Sequence, residues 1–465
     1  MSHSSPQDRN APTDRAVASE SLRLSLRTMV LGGCLAMVYT VGIANPATTE
    51  FFRAIGAEEW HFGLLTGVPL AMLLFQFVGA AALNRAHRRK GVFIACLLVC
   101  RLLYLGVAFL PFLLRERAPA AVLPMVILLL AVSAATHNFA IPFWFSWMAD
   151  LIPRRVLNRV WGWRQRAMHL TWTVANLLVT WLLYRTAWPV TTVFPLLTAL
   201  AVAAGVSDTL LFLGVIEPPN LTRAATRPWH DLAAPLRHPD FGRFVLFSCC
   251  WSFATMFAAA FMQFYVLKVL RVPMWQTALI WCGQGVGMAM ASGLWGRMAD
   301  RHGQRPVIVT CVCLKPMIVI VFFLLTRANV LWLLPLALVP DGMLNAGYAI
   351  AANGHMLSLA PRENRSSFIA SVTGLAGLSS GLAAMTAGAA LSWWDGWSGH
   401  LWGKTLNNYH LLFLTSLVMR FLCMPLARRI REPGSSHSRE LVNAILDDWP
   451  TRLPRFPVGL YRRRE

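Results

Sequence analysis

Charge is scarce in this chain, and acid is scarcer than base. Asp, Glu, Lys and Arg make up 14% of its 465 residues, where a soluble globular protein carries about 25%. Acidic residues number 21 against 42 basic ones, a formal net charge of +21. So little charge excludes a chain whose whole surface meets water. The basic excess does not make a nucleic-acid face either, because such a face gathers Lys and Arg on one soluble surface. Here they sit in short loops between apolar runs. Metal-ligand spacing is also missing. The nine Cys all fall inside apolar runs without His at zinc spacing, so they read as buried free thiols and no metal is expected. The twelve His are scattered, which argues against a membrane-embedded enzyme. No G-x-x-x-x-G-K-S/T stretch occurs, which excludes a P-loop ATP motor within the chain. No cofactor is expected. Residues 1–27 are polar and lack an apolar core with a cleavage site. They are expected to form a disordered cytoplasmic tail.

Long apolar runs are what the chain has in abundance. A helix needs about 20 apolar residues to cross the hydrocarbon core. Twelve candidate spans follow, at 28–52, 60–83, 91–113, 120–148, 166–186, 190–214, 243–270, 275–298, 306–326, 330–357, 367–392 and 408–427. The fold class expected is an all-α membrane protein, with twelve transmembrane helices in two pseudo-symmetric six-helix bundles. The bundles occupy 28–214 and 243–427. A proline-rich cytoplasmic linker, 215–242, separates them, and 428–465 forms a cytoplasmic C-tail. In that tail Leu441, Ala444, Ile445 and Trp449 suggest a short interfacial helix.

Loop charge sets the orientation. With the N-terminus inside, 31 Lys and Arg fall on the inner side, eight on the outer side and three within spans. The positive-inside rule then puts both termini in the cytoplasm. A bacterial inner membrane is the expected location, and a monomer in the lipid bilayer the expected state.

The two halves overlay. Glu59-Trp60-His61 through Arg85 matches Met274-Trp275-Gln276 through Arg301 with one gap. Leu151-Ile152-Pro153 with Arg159 matches Leu359-Ala360-Pro361 with Arg365. Duplicated halves are a mark of transporters. Between spans 8 and 9 runs Gly296-Arg297-Met298-Ala299-Asp300-Arg301-His302-Gly303-Gln304-Arg305. Gly296 is expected to allow close helix approach. Gly303 suits a turn with positive φ, and Asp300 suits an Arg partner or a helix N-terminus.

At this loop the chain resembles the major facilitator superfamily, which carries a G-x-x-x-D-R-x-G-x-R pattern between spans 2 and 3 and again between spans 8 and 9. The first-half copy is degraded, with Asn84 in place of the acid and His87 in place of the glycine. The resemblance implies a gating role for Gly296, Asp300, Arg301, Gly303 and Arg305, and a weaker one for Arg85 and Arg89. Arg88 and Lys90 read as topology charges. Marks of drug antiporters are absent, since Met168 to Leu183 holds neither Gly nor Pro. Glu217-Pro218-Pro219 is only faintly similar to a sugar-porter signature.

A charged side chain at a helix centre is costly, about 2.5–3.5 kcal/mol on insertion scales, so it faces protein or water. The resemblance implies a cavity lined by spans 1, 4, 7 and 10. Tyr39, Asn45, His137, Asn138, Trp144, Gln263, Asp341 and Asn345 are the candidates on them. On the proline overlay His137 falls opposite Asn345. Asp341 follows Pro340, which deprives a carbonyl of its partner. A broken helix there would suit a cation or a substrate hydroxyl. Asp341 is therefore the candidate for ion coupling. Glu50 is a candidate gate near the outer end of span 1. Arg101, Asp208, Lys315 and Arg420 read as inter-helix pairs or snorkelling residues. Small residues at Gly285, Ala289 and Gly293, and at Gly377 and Gly381, suit close crossings. The function expected is secondary transport of a small solute by alternating access, driven by a proton or sodium gradient or by the solute gradient alone, with proton coupling favoured. The rival is a non-transporting sensor or assembly factor on the same scaffold.

Overall fold

The computed structural model describes residues 11–83, 85–86, 88–152, 157–186, 188–218, 238–359, 365–401, 404–432, 434–436 and 440–441. Twelve helical spans run through them. The first half holds span 1 (Ala11–Ile43, continued by Pro46–Ala54), span 2 (Glu59–Ala71 and Phe75–Leu83), span 3 (Lys90–Leu114), span 4 (Val122–Leu151), span 5 (Leu157–Arg185) and span 6 (Val190–Leu211). The second half holds span 7 (Pro239–Lys268), span 8 (Met274–His302), span 9 (Gln304–Leu314 and Pro316–Leu324), span 10 (Val330–Leu359), span 11 (Arg365–Trp393) and span 12 (Asn408–Arg428).

Four expectations change. Span 1 begins at Ala11, so residues 11–27 are helical and not a disordered tail, while 1–10 lie outside the described residues. Span 7 takes in Pro239 to Gly242 of the expected linker, and 219–237 lie outside the described residues. So do Ala444, Ile445 and Trp449 of the expected tail helix, whereas Leu441 is buried against the second-half core. Span 10 is continuous through Pro335 and Pro340, so the expected break beside Asp341 is absent. The break falls in span 1, at Asn45-Pro46. A residue before proline is pushed out of the helical region, and Asn45 is extended (φ −145°, ψ 173°). Its side chain then caps the next segment, accepting from the Ala47 N–H at 2.9 Å.

Ten of the spans are long and apolar enough to cross a membrane by composition alone. Spans 5 and 8 are the more polar pair, with Arg164, Gln165, Arg166 and His169 on the one and Gln276 and Gln284 on the other. They pack against each other across the halves, as spans 2 and 11 do, so part of each surface faces protein rather than lipid. An antiparallel hairpin unforeseen in the sequence, β1 (Ser398–Leu401) with β2 (Lys404–Asn407), joins spans 11 and 12.

The two ends of the molecule differ. At the end away from the termini, one apolar core spans both halves. It combines Phe51, Phe52, Phe62 and Phe194 with Phe261, Phe264, Tyr265 and Phe413, and the Phe62 and Phe264 rings lie 4.4 Å apart. At the end bearing the termini there are two cores. One is built around Trp147 and Phe212 in the first half, the other around Trp251 and Trp295 in the second. Among the described residues the halves thus share one core at the far end and keep separate cores toward the near end.

Candidate functional site

The polar centre of the second half is built on three spans. Asp341 of span 10 is 5% exposed. Its Oδ2 accepts from Gln284 Nε2 of span 8 at 2.9 Å and from Asn345 Nδ2, one turn on, at 2.8 Å. Lys315 Nζ, from the Pro316 step in span 9, stands 3.6 Å from Asp341 Oδ1 and donates to Asn345 Oδ1. Glycine brings spans 8 and 10 together here: a Cβ added at Gly342 would meet the Gln284 carbonyl at 2.1 Å. Behind Lys315 sits Arg420 of span 12, fully buried, donating to the Lys315 and Thr255 carbonyls, each at 3.3 Å. A buried acid is tolerable in such surroundings because Oδ2 is hydrogen-bonded twice and a lysine stands beside Oδ1, although Oδ1 itself accepts no hydrogen bond.

The first half has its own buried ion pair. Arg101 Nη2 of span 3 reaches Asp208 Oδ2 of span 6 at 3.2 Å. The guanidinium lies 3.8 Å from the centre of the Tyr39 ring, a cation–π contact. The Tyr39 hydroxyl is buried without a hydrogen-bond partner. Arg101 and Lys315 are 214 positions apart, on equivalent spans, and Asp208 and Arg420 are 212 apart. Equivalent places therefore hold an Arg–Asp pair in one half and a Lys with an Arg in the other.

A polar chain bridges the halves. Gln76 of span 2 donates to Asn138 Oδ1 of span 4 at 3.0 Å, and its own Oε1 accepts from Thr373 of span 11 at 3.0 Å. The other candidates are more dispersed. Asn45 spends its amide on the Val41 and Gly42 carbonyls and on its cap, which makes it a structural residue. His137 precedes Asn138 on span 4 and is half-buried, within electrostatic reach of Arg101. Trp144 lies under Arg164, 4.8 Å from its guanidinium carbon. Trp147 is a core residue, its Nε1 donating to the Ile216 carbonyl at 2.8 Å. Gln263 is half-buried on span 7. Glu50 pairs with Arg53 at 2.7 Å. The halves are also tied at the far end by Lys268 with Glu59, whose Oε1 accepts from Tyr409 at 3.1 Å.

At the near end Arg89 and Lys90, at the close of the degraded loop, are firmly held. Arg89 is fully buried and donates to Asp150 at 2.5 Å, Ser146 at 3.0 Å and the Pro218 carbonyl at 2.8 Å. Glu217 accepts the Arg89 and Lys90 N–H groups, and Lys90 Nζ reaches the Leu213 carbonyl. Lys90 is thus a clamp and not a plain topology charge. The second half repeats this arrangement 215 residues later: Glu432 accepts the Gln304 and Arg305 N–H groups, and Arg305 reaches the Arg428 carbonyl at 3.0 Å. Arg85, Asp300 and Arg301 are exposed, and Asp300 has no ion pair among the described residues. Gly303 has the expected positive φ, +93°. Gly296 departs from expectation: among the described residues a Cβ there would meet nothing within 4 Å, so no close approach is made through it to them. The close approaches are elsewhere. A Cβ at Gly67 would meet the Gly381 carbonyl at 2.5 Å, and one at Gly285 would meet Trp172 at 2.5 Å. Both crossings join the halves.

Glu432, Gln76, Gln284 and Thr373 were not singled out from sequence, and Glu217 was noted only within Glu217-Pro218-Pro219. The two Glu-Pro steps carried a signal, at the spacing of the repeat.

Two six-helix halves, joined by small-residue crossings and with separate cores at one end, define a membrane transporter. The chain belongs to the Major Facilitator Superfamily, whose sequence profile matches residues 29–293 and 275–464. No curated protein matches the chain by sequence. Among solved structures, a mutant of the nucleoside transporter NupG superposes with a TM-score of 0.67 at 12% identity, covering 87% of this chain and 99% of that one. A D-xylose-proton symporter gives 0.67 at 15%, covering 88% and 98%. A bacterial homologue of the human lysosomal transporter Spinster, in an inward-facing and occupied conformation, gives 0.64 at 15%, covering 91% and 97%. At these identities the likeness is one of fold.

Proposed function

We propose that this chain is a proton-coupled secondary transporter of a small solute, working as a monomer in a bacterial inner membrane with its termini in the cytoplasm. The observation that carries the reading is the Asp341–Lys315–Asn345–Gln284 network, an acid on an inner span whose oxygens are shared among spans 8, 9 and 10. Protonation of Asp341 would release Lys315 and Gln284 together, and so couple a proton to the relative position of three helices. The difference between the ends supports alternating access, with the near end open to the cytoplasm. The buried, four-way tethering of Arg89 weighs against the sensor reading, which drew on the degraded loop.

The test is uptake into proteoliposomes by wild type and Asp341→Asn. A panel of nucleosides, sugars and organic acids would be used, with and without a pH gradient. Wild-type uptake should rise when the outside is the more acidic side, and the variant should lose that dependence. Gradient-dependent uptake that survives in Asp341→Asn would remove Asp341 from the coupling role. Absence of uptake for every class by folded wild type would return weight to the sensor.

A further inference from the structure

The near end of the second half contains a hollow of about 740 Å³ bordered by Arg243, Arg305, Arg428, Arg429 and Arg431, with Glu432. Arg243 lies near the start of span 7, Arg305 begins span 9 and Arg428 ends span 12. Three span ends at one level place the hollow at headgroup depth. Spans 9 and 12 make their main contacts within their own half, so this is the periphery and not the crossing between halves.

Acid does not balance these arginines. Glu432 already accepts the N–H groups of Gln304 and Arg305, and Asp240 holds Arg243 at 3.0 Å. Arg305 gives one Nη2 bond to the Arg428 carbonyl, and its Nε is buried without a partner. Arg428, Arg429 and Arg431 are exposed and have no acid partner among the described residues. The clamp itself does not need them. In the first half the same clamp is made with Leu213, Gly214 and Ile216 at the places of Arg428, Arg429 and Arg431. A topology signal needs positive charge in a loop, but it does not need five arginines around one hollow. Planar guanidinium groups match phosphate oxygens in geometry as well as charge.

We infer that this hollow binds the phosphodiester of an anionic phospholipid from the adjoining leaflet. The test compares thermal unfolding of the purified full chain in phosphatidylcholine vesicles with and without phosphatidylglycerol, and in detergent with inorganic phosphate. Phosphatidylglycerol should stabilise wild type, and added salt should weaken the effect. Hydrogen exchange across Ile430–Glu432 should slow at the same time. The Arg428→Gln, Arg429→Gln, Arg431→Gln triple variant should lose affinity for phosphatidylglycerol by roughly fivefold per arginine. Equal stabilisation by both vesicle types would overturn the inference, as would unchanged affinity in the triple variant. Protection by inorganic phosphate equal to that by phosphatidylglycerol would also overturn it, in favour of a soluble-anion site. If the triple variant fails to fold, the wild-type exchange comparison decides alone: no slowing at Ile430–Glu432 with phosphatidylglycerol rejects the site.

Discussion

The two halves share a backbone plan but distribute buried charge differently. In the first, the acid Asp208 sits on span 6 and pairs with Arg101 of span 3. In the second, the equivalent of Asp208 is Arg420, and the acid has moved to Asp341 of span 10. Spans 3 and 6 pack within their own bundle, and a pair between them holds that bundle together. Asp341 faces Gln284 of span 8, a helix that also touches span 5 of the other half. On the function proposed above, the acid buried within one bundle serves stability, and the acid beside the crossing between halves serves coupling.

The sharpest way to break this contrast is Asp208→Asn. It strands Arg101 in the interior and should cost about 3–5 kcal/mol. Chemical or thermal unfolding in detergent reads the loss, and adding Arg101→Leu should restore much of it. Asp341→Asn leaves Lys315 and Arg420 buried without an acid and should cost a similar amount, about 3–5 kcal/mol, while gradient-dependent uptake disappears. If the two acids exchanged these phenotypes, the assignment of roles would be reversed. The clamps sharpen the comparison from the other side. Glu217→Gln and Glu432→Gln should each cost about 1 kcal/mol, and by the same amount, because the geometry is repeated. Unequal unfolding shifts would show that the repeat is only skin deep. Smallest of all should be Lys268→Gln, which removes a half-exposed ion pair across the far end. Its expected effect is about 0.2–1 kcal/mol, read as increased thiol labelling of cysteines placed at the far end.

Most of the fold was legible because apolar runs of membrane length are unambiguous. The expected spans 3, 4, 10 and 12 agree with the helices within a few residues. Asn45-Pro46 was visible in the sequence, yet whether a proline breaks a span depends on what satisfies the freed backbone. Asn45 does so in span 1, whereas span 10 runs straight through Pro340. Asp341 was legible because an acid in an apolar run stands out. Its partners were not, since Lys315 and Gln284 meet it only through the rotation of three helices about their axes. Lys90 was misread because a charge near a loop looks the same whether it floats or is tied to a carbonyl.

The crossing of spans 2 and 11 has a consequence for motion. Gly63, Gly67, Gly381 and Gly388 bring main chain against main chain, each lacking the side chain that would otherwise reach the opposite helix. Interlocked side chains resist sliding, because every knob must climb out of its hole before it can enter the next. This crossing has such teeth as well, since Leu73 lies against Gly377 and Met385 against Gly67. The contact is therefore a keyed joint, in which any side chain larger than hydrogen at these glycines would wedge the two helices apart.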